Sequence, residues 1–533
     1  MINYNKLFVY LCKNNHFDLV KKLIISKPDI DISVNNDSAF RFTCWYGHLE
    51  IAQWLYQIKS TINISASNES AFRLACMHGH LNVAKWLYEI KSSIDISTLD
   101  ELPFKLSCLN GHLDVAKWLI DIKPSINISI LNEDVFDEIC SKGYLDIVKW
   151  LCEIMPSIGT LIINGLSFGL SCSNGHLDIA KLLYSIKSSI DISASDEYAF
   201  IYACVNGHLN VAQWLYSIKP SINISASDEY AFEHACLNGH LNVAQWLYKI
   251  KSSIDMFSNN GYAFFEACSN GHLNVVQWFH RIKPLNDIFV EHGFNEACSN
   301  GHLNVVQWFY EIKLLNDIFV ENGFDEACAN GHLNIAQWLY SIKPTIDVSI
   351  NDENAFREAC TCGYLNIVQW LYSIKPTINI SIDNEDAFRE ACRHGHLNIA
   401  QWLYKIKPTI DISVNNDDAF RGACLCDSLS VAQWLCKLKP DNYILKVFDN
   451  EIIEWGINTH IVYADTIYLN LSDQDKCYIC MDQIQDIQTS CKHKYCSECM
   501  NKYIKHSKKS ILLCPYCRTV IEHLNPISYI KNH

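Results

Sequence analysis

Apolar residues along the chain follow a pattern that repeats about every 32 residues. In the copy at residues 199–225, an Ala-Phe-x-x-Ala-Cys segment places apolar side chains on one side of a predicted short helix. The segment Leu-x-Val-Ala-x-Trp-Leu-Tyr-x-Ile at residues 209–218 predicts a second helix with a wider apolar face. Gly207 between them suits a tight turn with positive φ. Lys219-Pro220 predicts the end of the second helix, because proline cannot extend it.

The turn glycine marks the period of the repeat. It recurs at intervals of 32 or 30 residues, at Gly47, Gly79, Gly111, Gly143, Gly175, Gly207, Gly239, Gly271, Gly301, Gly331, Gly363 and Gly395. Asn15-His16 and Asp427-Ser428 occupy the positions that Gly-His holds in the other units, which gives fourteen units between residue 1 and about residue 440. The alternating residues 222–225 predict an extended connector or hairpin. A fixed period of this length is typical of a stacked solenoid.

Residues that recur once per unit are predicted to serve packing. A single unit buries too little apolar surface to fold alone, so stacking must supply its stability. The tryptophans that fall in register, such as Trp86 and Trp214, are therefore interpreted as core residues and not as a ligand platform. The histidine after each turn glycine has the same interpretation.

The unit resembles the ankyrin repeat, in which a first helix ending in Ala-Ala is followed by Gly-His, two β-branched residues and Leu-Leu. Those positions hold Ala203-Cys204, Gly207-His208, Val211-Ala212 and Leu215-Tyr216. The period departs from the usual ~33 residues, and Ala-Phe replaces the Thr-Pro-Leu-His opening. The Trp-Leu-Tyr form with its Ile-Lys-Pro exit resembles the ankyrin arrays of giant DNA viruses of amoebae. The resemblance implies stacked helix pairs that bind a protein target along the concave face and connector tips.

Positions that vary between units are the candidates for reading that target. They lie three and two residues before each repeat cysteine, and the sign of their charge changes along the array: Arg41-Phe42, Arg73-Leu74, Lys105-Leu106, Asp137-Glu138, Ile201-Tyr202, Glu233-His234, Phe265-Glu266, Arg357-Glu358 and Arg389-Glu390. The alternative is sequence drift on a solvated surface.

Net charge argues against a nucleic-acid partner. The chain carries a formal charge of −15 and has a pI near 5.7, whereas nucleic-acid binders usually show a basic stripe. No apolar run approaches the ~18–20 residues that span a bilayer, so no membrane partner is expected. The first residues lack the apolar segment of a signal peptide. We expect a cytoplasmic protein, in the host cell if it is viral; a nuclear location is not excluded.

The 25 cysteines fall into three groups. Fourteen occupy one repeat position, from Cys12 to Cys424, and are interpreted as small buried side chains. Four others are scattered, and seven crowd between Cys477 and Cys517. Reduced thiols throughout the array fit an intracellular setting.

The crowded group has metal-ligand spacing. Its order is Cys477-x2-Cys480, Cys491-x-His493-x2-Cys496-x2-Cys499 and Cys514-x2-Cys517. Eight thiolate or imidazole donors in four close pairs match two tetrahedral zinc sites. Two zinc ions also explain how about fifty residues could fold with so small a core.

This order of ligands resembles the RING finger. The resemblance implies a crossed ligation, with Cys477, Cys480, Cys496 and Cys499 on one zinc and Cys491, His493, Cys514 and Cys517 on the other. It also implies that Ile479, Tyr503 and Pro515 dock a ubiquitin-conjugating enzyme, with tyrosine where many ligases carry tryptophan. Arg518 matches the residue that holds the conjugating enzyme and its ubiquitin in the reactive pose.

The predicted architecture is an all-α repeat solenoid of ankyrin-like helix pairs followed by a small zinc-stabilised α/β RING domain. Its expected parts are the array at residues 1–440, a degenerate cap or linker at 441–472 that packs in part on the last unit, the RING finger at 473–522 and a tail at 523–533. The favoured function is a RING-type ubiquitin ligase whose array recruits a protein target. The alternative is a non-catalytic adaptor with a structural RING. A nucleic-acid binder is disfavoured by the acidic array.

Overall fold

Fourteen pairs of α-helices account for most of the described chain. The computed structural model describes residues 4–155, 158, 165–348, 350–448, 451–457, 467–470, 487–489, 494–495 and 524–530. The described residues contain 28 α-helices. By its contacts the chain divides into two compact units, Met1–Pro284 and Leu285–His533. The predicted fold class, a repeat solenoid of ankyrin-like helix pairs, is confirmed.

The bounds of the helices repeat with the sequence. The first helices of the pairs are Tyr4–Lys13, Val34–Trp45, Ala66–Met77, Thr98–Leu109, Glu133–Ser141, Leu166–Ser173, Ala194–Val205, Ala226–Leu237, Ser258–Ser269, Asp287–Ser299, Asp317–Ala329, Ile350–Thr361, Ile382–Arg393 and Val414–Leu425. The second helices are Phe17–Ser26, Leu49–Ile58, Leu81–Ile90, Leu113–Ile122, Leu145–Ile154, Leu177–Ile186, Leu209–Ile218, Leu241–Ile250, Leu273–Ile282, Leu303–Glu311, Leu333–Ile342, Leu365–Ile374, Leu397–Ile406 and Leu429–Leu438. A 3-10 turn spans Ile128–Ile130. No helix among these residues is both long and apolar enough to cross a bilayer.

The turn between the two helices of a pair is a Schellman motif. Gly207 has φ of +78°, the left-handed conformation that glycine adopts at little cost. The backbone N–H of His208 donates to the carbonyl of Ala203 at 2.8 Å, and that of Gly207 donates to Cys204 at 3.1 Å. The glycine therefore ends the first helix and starts the second within two residues.

The histidine of most Gly-His pairs joins its unit to the preceding one. A Cβ atom on Gly207 would lie 2.5 Å from the ring of His240, so the ring packs where that side chain would be. His176 Nε2 lies 3.0 Å from the carbonyl oxygen of Ser141 in the preceding unit. The same contact is made by His48, His332 and His396. Because a carbonyl only accepts, Nε2 carries the proton.

The tryptophans also bridge neighbouring units. The ring of Trp246 lies 6.1 Å from that of Phe200 in a tilted arrangement and 5.9 Å from that of Tyr216, edge to face. Both partners belong to the preceding unit. Edge-to-face pairs add stabilisation beyond the area they bury. The arrangement recurs at Trp86, Trp118, Trp214, Trp278, Trp370 and Trp434. This is the packing role predicted for the tryptophans.

Most first helices begin with a left-handed turn held by a buried carboxylate. Residues 195–197 have φ between 53° and 63°, a conformation that costs about 1–2 kcal/mol per non-glycine residue. Glu197, only 7% exposed, accepts from Ser193 Oγ at 2.6 Å and from the backbone N–H of Asn223, in the connector after the second helix, at 3.1 Å. Lys219, at the end of the second helix, bonds to the same serine hydroxyl. Bonds from the following connector therefore offset the cost of the turn.

The two units with shorter connectors use a different start. The helices Asp287–Ser299 and Asp317–Ala329 are capped by the side chains of Asn286 and Asn316, which accept from the backbone N–H groups of Phe289 and Phe319 at 3.1 and 2.9 Å. Asparagine is a preferred N-cap residue because its side-chain oxygen accepts from a free N–H of the first turn. Where the connector is two residues shorter, an asparagine N-cap thus replaces the left-handed turn at the start of the first helix.

All fourteen repeat cysteines are buried, as predicted. They pack beside a phenylalanine of the same helix that is also fully buried, from Phe8 to Phe420. Burial raises the pKa of Cys12 and of Cys108 to about 12. These thiols are therefore neutral core side chains at physiological pH.

A β-hairpin packs on the last helix pair. Its strands, Tyr443–Phe448 and Glu451–Ile457, are antiparallel. The ring of Tyr443 stacks on that of Phe420 at 4.1 Å, and its hydroxyl donates to Asp417 Oδ1 at 2.8 Å. The carboxylates equivalent to Asp417 in other units accept from a residue of the following connector, such as Asn223, so Tyr443 takes the place of that connector residue.

Four short strands are described beyond the hairpin. Ile467–Asn470 pairs parallel with Leu524–Ile530. Ile487–Thr489 pairs antiparallel with Leu524–Ile530 and with Lys494–Tyr495. The order in this sheet places Leu524–Ile530 between Ile467–Asn470 and Ile487–Thr489.

Replacement of a turn glycine should loosen two units at once. We expect Gly207→Ala to lower the free energy of local opening of residues 177–250 by about 2–3 kcal/mol, because it adds left-handed strain and a clash with the His240 ring. Native-state amide hydrogen exchange measures this. Gly165→Ala is the control, since Gly165 has φ of +73° but a Cβ there meets its nearest atom at 3.8 Å. Equal effects of the two variants would contradict a role of the ring.

Candidate functional site

The predicted zinc and docking residues lie outside the described residues. They are Cys477, Ile479, Cys480, Cys491, His493, Cys496, Cys499, Tyr503, Cys514, Pro515, Cys517 and Arg518. Described strands Ile487–Thr489 and Lys494–Tyr495 flank Cys491 and His493 in the sequence. In the part of the chain that the structure describes, no group of three His, Cys, Asp or Glu side chains could hold a metal ion. The zinc ligation stays a prediction from the spacing.

The predicted target-reading positions lie together on the first helices. Three residues among these eighteen, Asp137, Ile201 and Glu233, are buried; Glu138 is exposed, and the others are half-buried. They face the corresponding positions of the adjacent first helices within each compact unit. Half-buried side chains of varied type can contact a partner while packing against their neighbours.

Arginine at the position three before the cysteine also has a structural role. Arg73 Nε donates to the carbonyl of Asn68 at 2.7 Å, and its Nη2 donates to that of Ser67 at 3.2 Å. Arg41 and Arg389 bond to the same left-handed turn of their own units. These arginines therefore satisfy carbonyls that the turn leaves without helical partners.

Opposite charges are paired near the end of the array. Arg357 Nε lies 2.9 Å from Asp386, Arg389 Nη1 lies 2.6 Å from Asp418, and Arg393 Nη2 lies 3.1 Å from Asp418. Each of these pairs joins one unit to the next. This stretch is an inter-unit ion-pair ladder, and its charges are largely engaged within the protein.

Asp325 is a carboxyl group in an unfavourable environment. Burial, and secondarily the neighbouring carboxylates of Glu326 and Glu321, raise the pKa of Asp325 from 3.8 to about 6. Glu321 is paired with Lys343 at 2.7 Å. Asp325 occupies the same position before its cysteine as Arg357 in the next unit.

An aromatic row runs across three consecutive first helices of the N-terminal compact unit. We call Tyr198, Tyr202, Tyr230, His234 and Tyr262 the tyrosine stripe. Ring centroids lie 4.6 Å apart between Tyr198 and Tyr202, 6.5 Å between Tyr202 and Tyr230, 3.6 Å between Tyr230 and His234, and 6.4 Å between His234 and Tyr262. Tyr262 is 37% exposed and the others are half-buried. The stripe is a continuous, partly accessible aromatic surface.

Only two members of the tyrosine stripe, Tyr202 and His234, are among the reading positions predicted from the sequence. Tyr198, Tyr230 and Tyr262 lie six residues before their cysteines and were missed, although their spacing of 32 residues is visible in the sequence. The position six before the cysteine varies between units as strongly as the two positions that were considered.

Comparisons with known proteins agree with the helix pairs and the cysteine spacing. The family model of ankyrin repeats in three copies matches residues 8–100, 139–228 and 168–260. The Ring finger domain model matches residues 475–518. No curated protein matches the chain. The chain therefore combines ankyrin repeats with a C-terminal RING finger.

Two solved structures are similar to parts of the chain. The human ASB11 ankyrin repeat domain is 14% identical with a TM-score of 0.31, and the match covers 39% of this chain and 97% of that one. An ankyrin repeat family protein from Legionella pneumophila is 18% identical with a TM-score of 0.24, and the match covers 56% and 79%. Both similarities concern ankyrin repeats alone.

The raised pKa of Asp325 predicts a pH dependence of stability. Between pH 4 and 6 the folded chain holds this proton more tightly than the unfolded chain, so the resulting stabilisation is present at low pH and is lost as the pH rises through about 6. Asp325→Asn should remove this component and stabilise residues 287–342 by about 1–2 kcal/mol at pH 7. Amide exchange at pH 5 and 7 measures it, with the exposed Glu311→Gln as control. An unchanged pH dependence in Asp325→Asn would contradict the assignment.

Proposed function

We propose that the protein is a RING-type ubiquitin ligase in which the ankyrin array recruits a protein target. The observation that carries the proposal is the ligand order from Cys477 to Cys517, which falls within the 475–518 match to the RING finger model. The ankyrin repeats support the second half, because such arrays mediate protein contacts through residues that vary between units. The setting proposed is the cytoplasm, in the host cell if the resemblance to giant-virus arrays holds.

The donor set fits zinc. Seven thiolates and one imidazole are the soft and borderline ligands that structural zinc prefers, and four ligands per ion account for all eight. We propose the crossed ligation, with Cys477, Cys480, Cys496 and Cys499 on one ion and Cys491, His493, Cys514 and Cys517 on the other. Bound zinc would supply structural rigidity and no reaction step.

Catalysis by this domain would consist of positioning. Ile479, Tyr503 and Pro515 would form the apolar dock for a ubiquitin-conjugating enzyme. Arg518 would hold that enzyme and its thioester-linked ubiquitin in a reactive pose. A target lysine then attacks the thioester carbonyl, an amide bond forms, and the conjugating-enzyme cysteine leaves as a thiol. Confinement of the reacting groups lowers the entropic part of the barrier.

The alternative is a non-catalytic adaptor. Tyr503 stands where many ligases carry tryptophan, and this substitution favours weaker docking of a conjugating enzyme. In that case the RING finger would only mediate protein contacts, and zinc binding would be unchanged.

Zinc content tests the metal sites. We expect about two zinc ions per chain by elemental analysis of the purified protein. The Cys480→Ser protein should lose one zinc ion and retain the other, because each ion has its own four ligands. Cys362→Ser, at an exposed cysteine of the array, should retain both. One ion or none in the native protein would contradict the proposal.

Ubiquitin transfer tests the ligase. With a panel of conjugating enzymes, the native protein should form ubiquitin chains. Ile479→Ala and Arg518→Ala should reduce the rate at least tenfold with zinc content unchanged, because they remove docking and positioning but no metal ligand.

Matched controls lie in the array. Ile288→Ala, at a side chain that is 72% exposed, and Arg281→Ala, at an exposed arginine, should leave the rate unchanged. Absence of chains with every conjugating enzyme tried would favour the adaptor.

A further inference from the structure

We propose that the tyrosine stripe binds an arginine-bearing basic segment of the partner protein. The inference deepens the proposed function, since it names the chemistry of the target that the array would recruit. It rests on three observations about the first helices Ala194–Val205, Ala226–Leu237 and Ser258–Ser269: their aromatic row, their acidity and the partners of their carboxylates.

The aromatic row offers ring faces and edges to a cation. Tyr230 and His234 are stacked at 3.6 Å with an interplanar angle of 17°, and His234 Nδ1 lies 3.2 Å from the carbonyl of Tyr230, which fixes the ring. Tyr262, next along the row, is the most exposed member at 37%. A guanidinium group stacks on such rings and gains cation–π attraction.

The same three helices are acidic. They contain six aspartates and glutamates and no lysine or arginine. Glu233 is 5% exposed and accepts from Ser258 Oγ at 2.8 Å and from Asn259 Nδ2 at 2.7 Å, so neutral donors hold its carboxylate without cancelling its charge. Glu266 lies at a reading position of the following first helix, Ser258–Ser269, two residues before Cys268.

The carboxylates act directly on the stripe. Burial raises the pKa of Tyr262, and the negative charges of Glu266 and then Glu233 raise it further. The negative potential of these two carboxylates therefore reaches the Tyr262 hydroxyl. The ion pairs described for this stretch join Lys219 to Asp191 and Lys251 to Glu229, which leaves Glu233 and Glu266 to act on the stripe. A cationic ligand at Tyr262 would therefore meet an exposed aromatic ring and the negative potential of Glu266 and Glu233.

Two other groups of described reading positions differ from the stripe in charge. The reading positions Arg41, Arg73 and Lys105 are basic, and those of the ion-pair ladder are already paired with aspartates. Arginine suits the stripe better than lysine because its planar group both stacks on rings and forms two parallel bonds to a carboxylate. The stripe is thus selective for a partner segment that presents arginine.

Peptide binding by the full-length protein tests the inference. The probe is a fluorescein-labelled dodecapeptide of alternating arginine and serine, measured by anisotropy, beside matched lysine–serine and glutamate–serine peptides. The arginine peptide should bind at least fivefold more tightly than the lysine peptide, and the glutamate peptide should not bind. Added salt should weaken binding only in part, because stacking is not screened.

Variants of the stripe separate its two contributions. Tyr262→Leu keeps an apolar side chain but removes the ring and should weaken arginine-peptide binding about tenfold, whereas Tyr262→Phe should stay within twofold. Glu266→Gln should weaken it about threefold. The controls are Asn354→Ala, at the position six before its own cysteine, and the exposed Asp178→Asn. Unchanged affinity in both Tyr262→Leu and Glu266→Gln, or equal binding of the lysine peptide, would overturn the inference.

The test is independent of ubiquitin transfer. Measured in the Ile479→Ala protein, peptide binding should be as tight as in the native protein. Peptide binding without chain formation would contradict only the ligase proposal. Chain formation by a protein that binds no arginine peptide would contradict only the role of the stripe.

Discussion

Each unit of the array is completed by groups that come from its neighbour, and the rest of the structure depends on this coupling. A histidine ring covers a bare glycine, a tryptophan packs on a phenylalanine and a tyrosine, and a buried carboxylate accepts an N–H from the connector that leads to the next unit. The histidine and tryptophan contacts persist where a connector is two residues shorter, at His332 and Trp338, because the connector and not the helix pair absorbs the change in length. The carboxylate bond is replaced there by an asparagine helix cap.

The helix pairs could be predicted from the sequence because their causes are local and periodic. Gly207 and Pro220 bound the second helix of their unit, and the apolar spacing defines the buried faces. The left-handed turn at residues 195–197 could not be predicted in this way, because no glycine marks it and Asn223 of the following connector stabilises it. The zinc ligands stay a prediction from the short spacings of metal-donor residues, and a target-binding surface depends on side chains that stacking brings together.

The charged residues of the array differ in whether another charge of the protein neutralises them. Arg73 satisfies carbonyls of its own turn, and Arg389 does so while pairing with Asp418. Glu233, beside His234 in the aromatic row, is bonded to neutral donors. A charged position that varies between units is therefore a better guide to recognition where no opposite charge of the protein neutralises it, and this distinction needs the three-dimensional contacts.

The hairpin at the end of the array has a consequence for the last unit. In a repeat array the last unit leaves uncovered the face on which a further unit would stack. Tyr443 donates to Asp417, whose equivalents accept from a connector, and stacks on Phe420, whose equivalents meet a tryptophan of the next unit. The hairpin therefore covers groups of the last unit that another unit would otherwise engage.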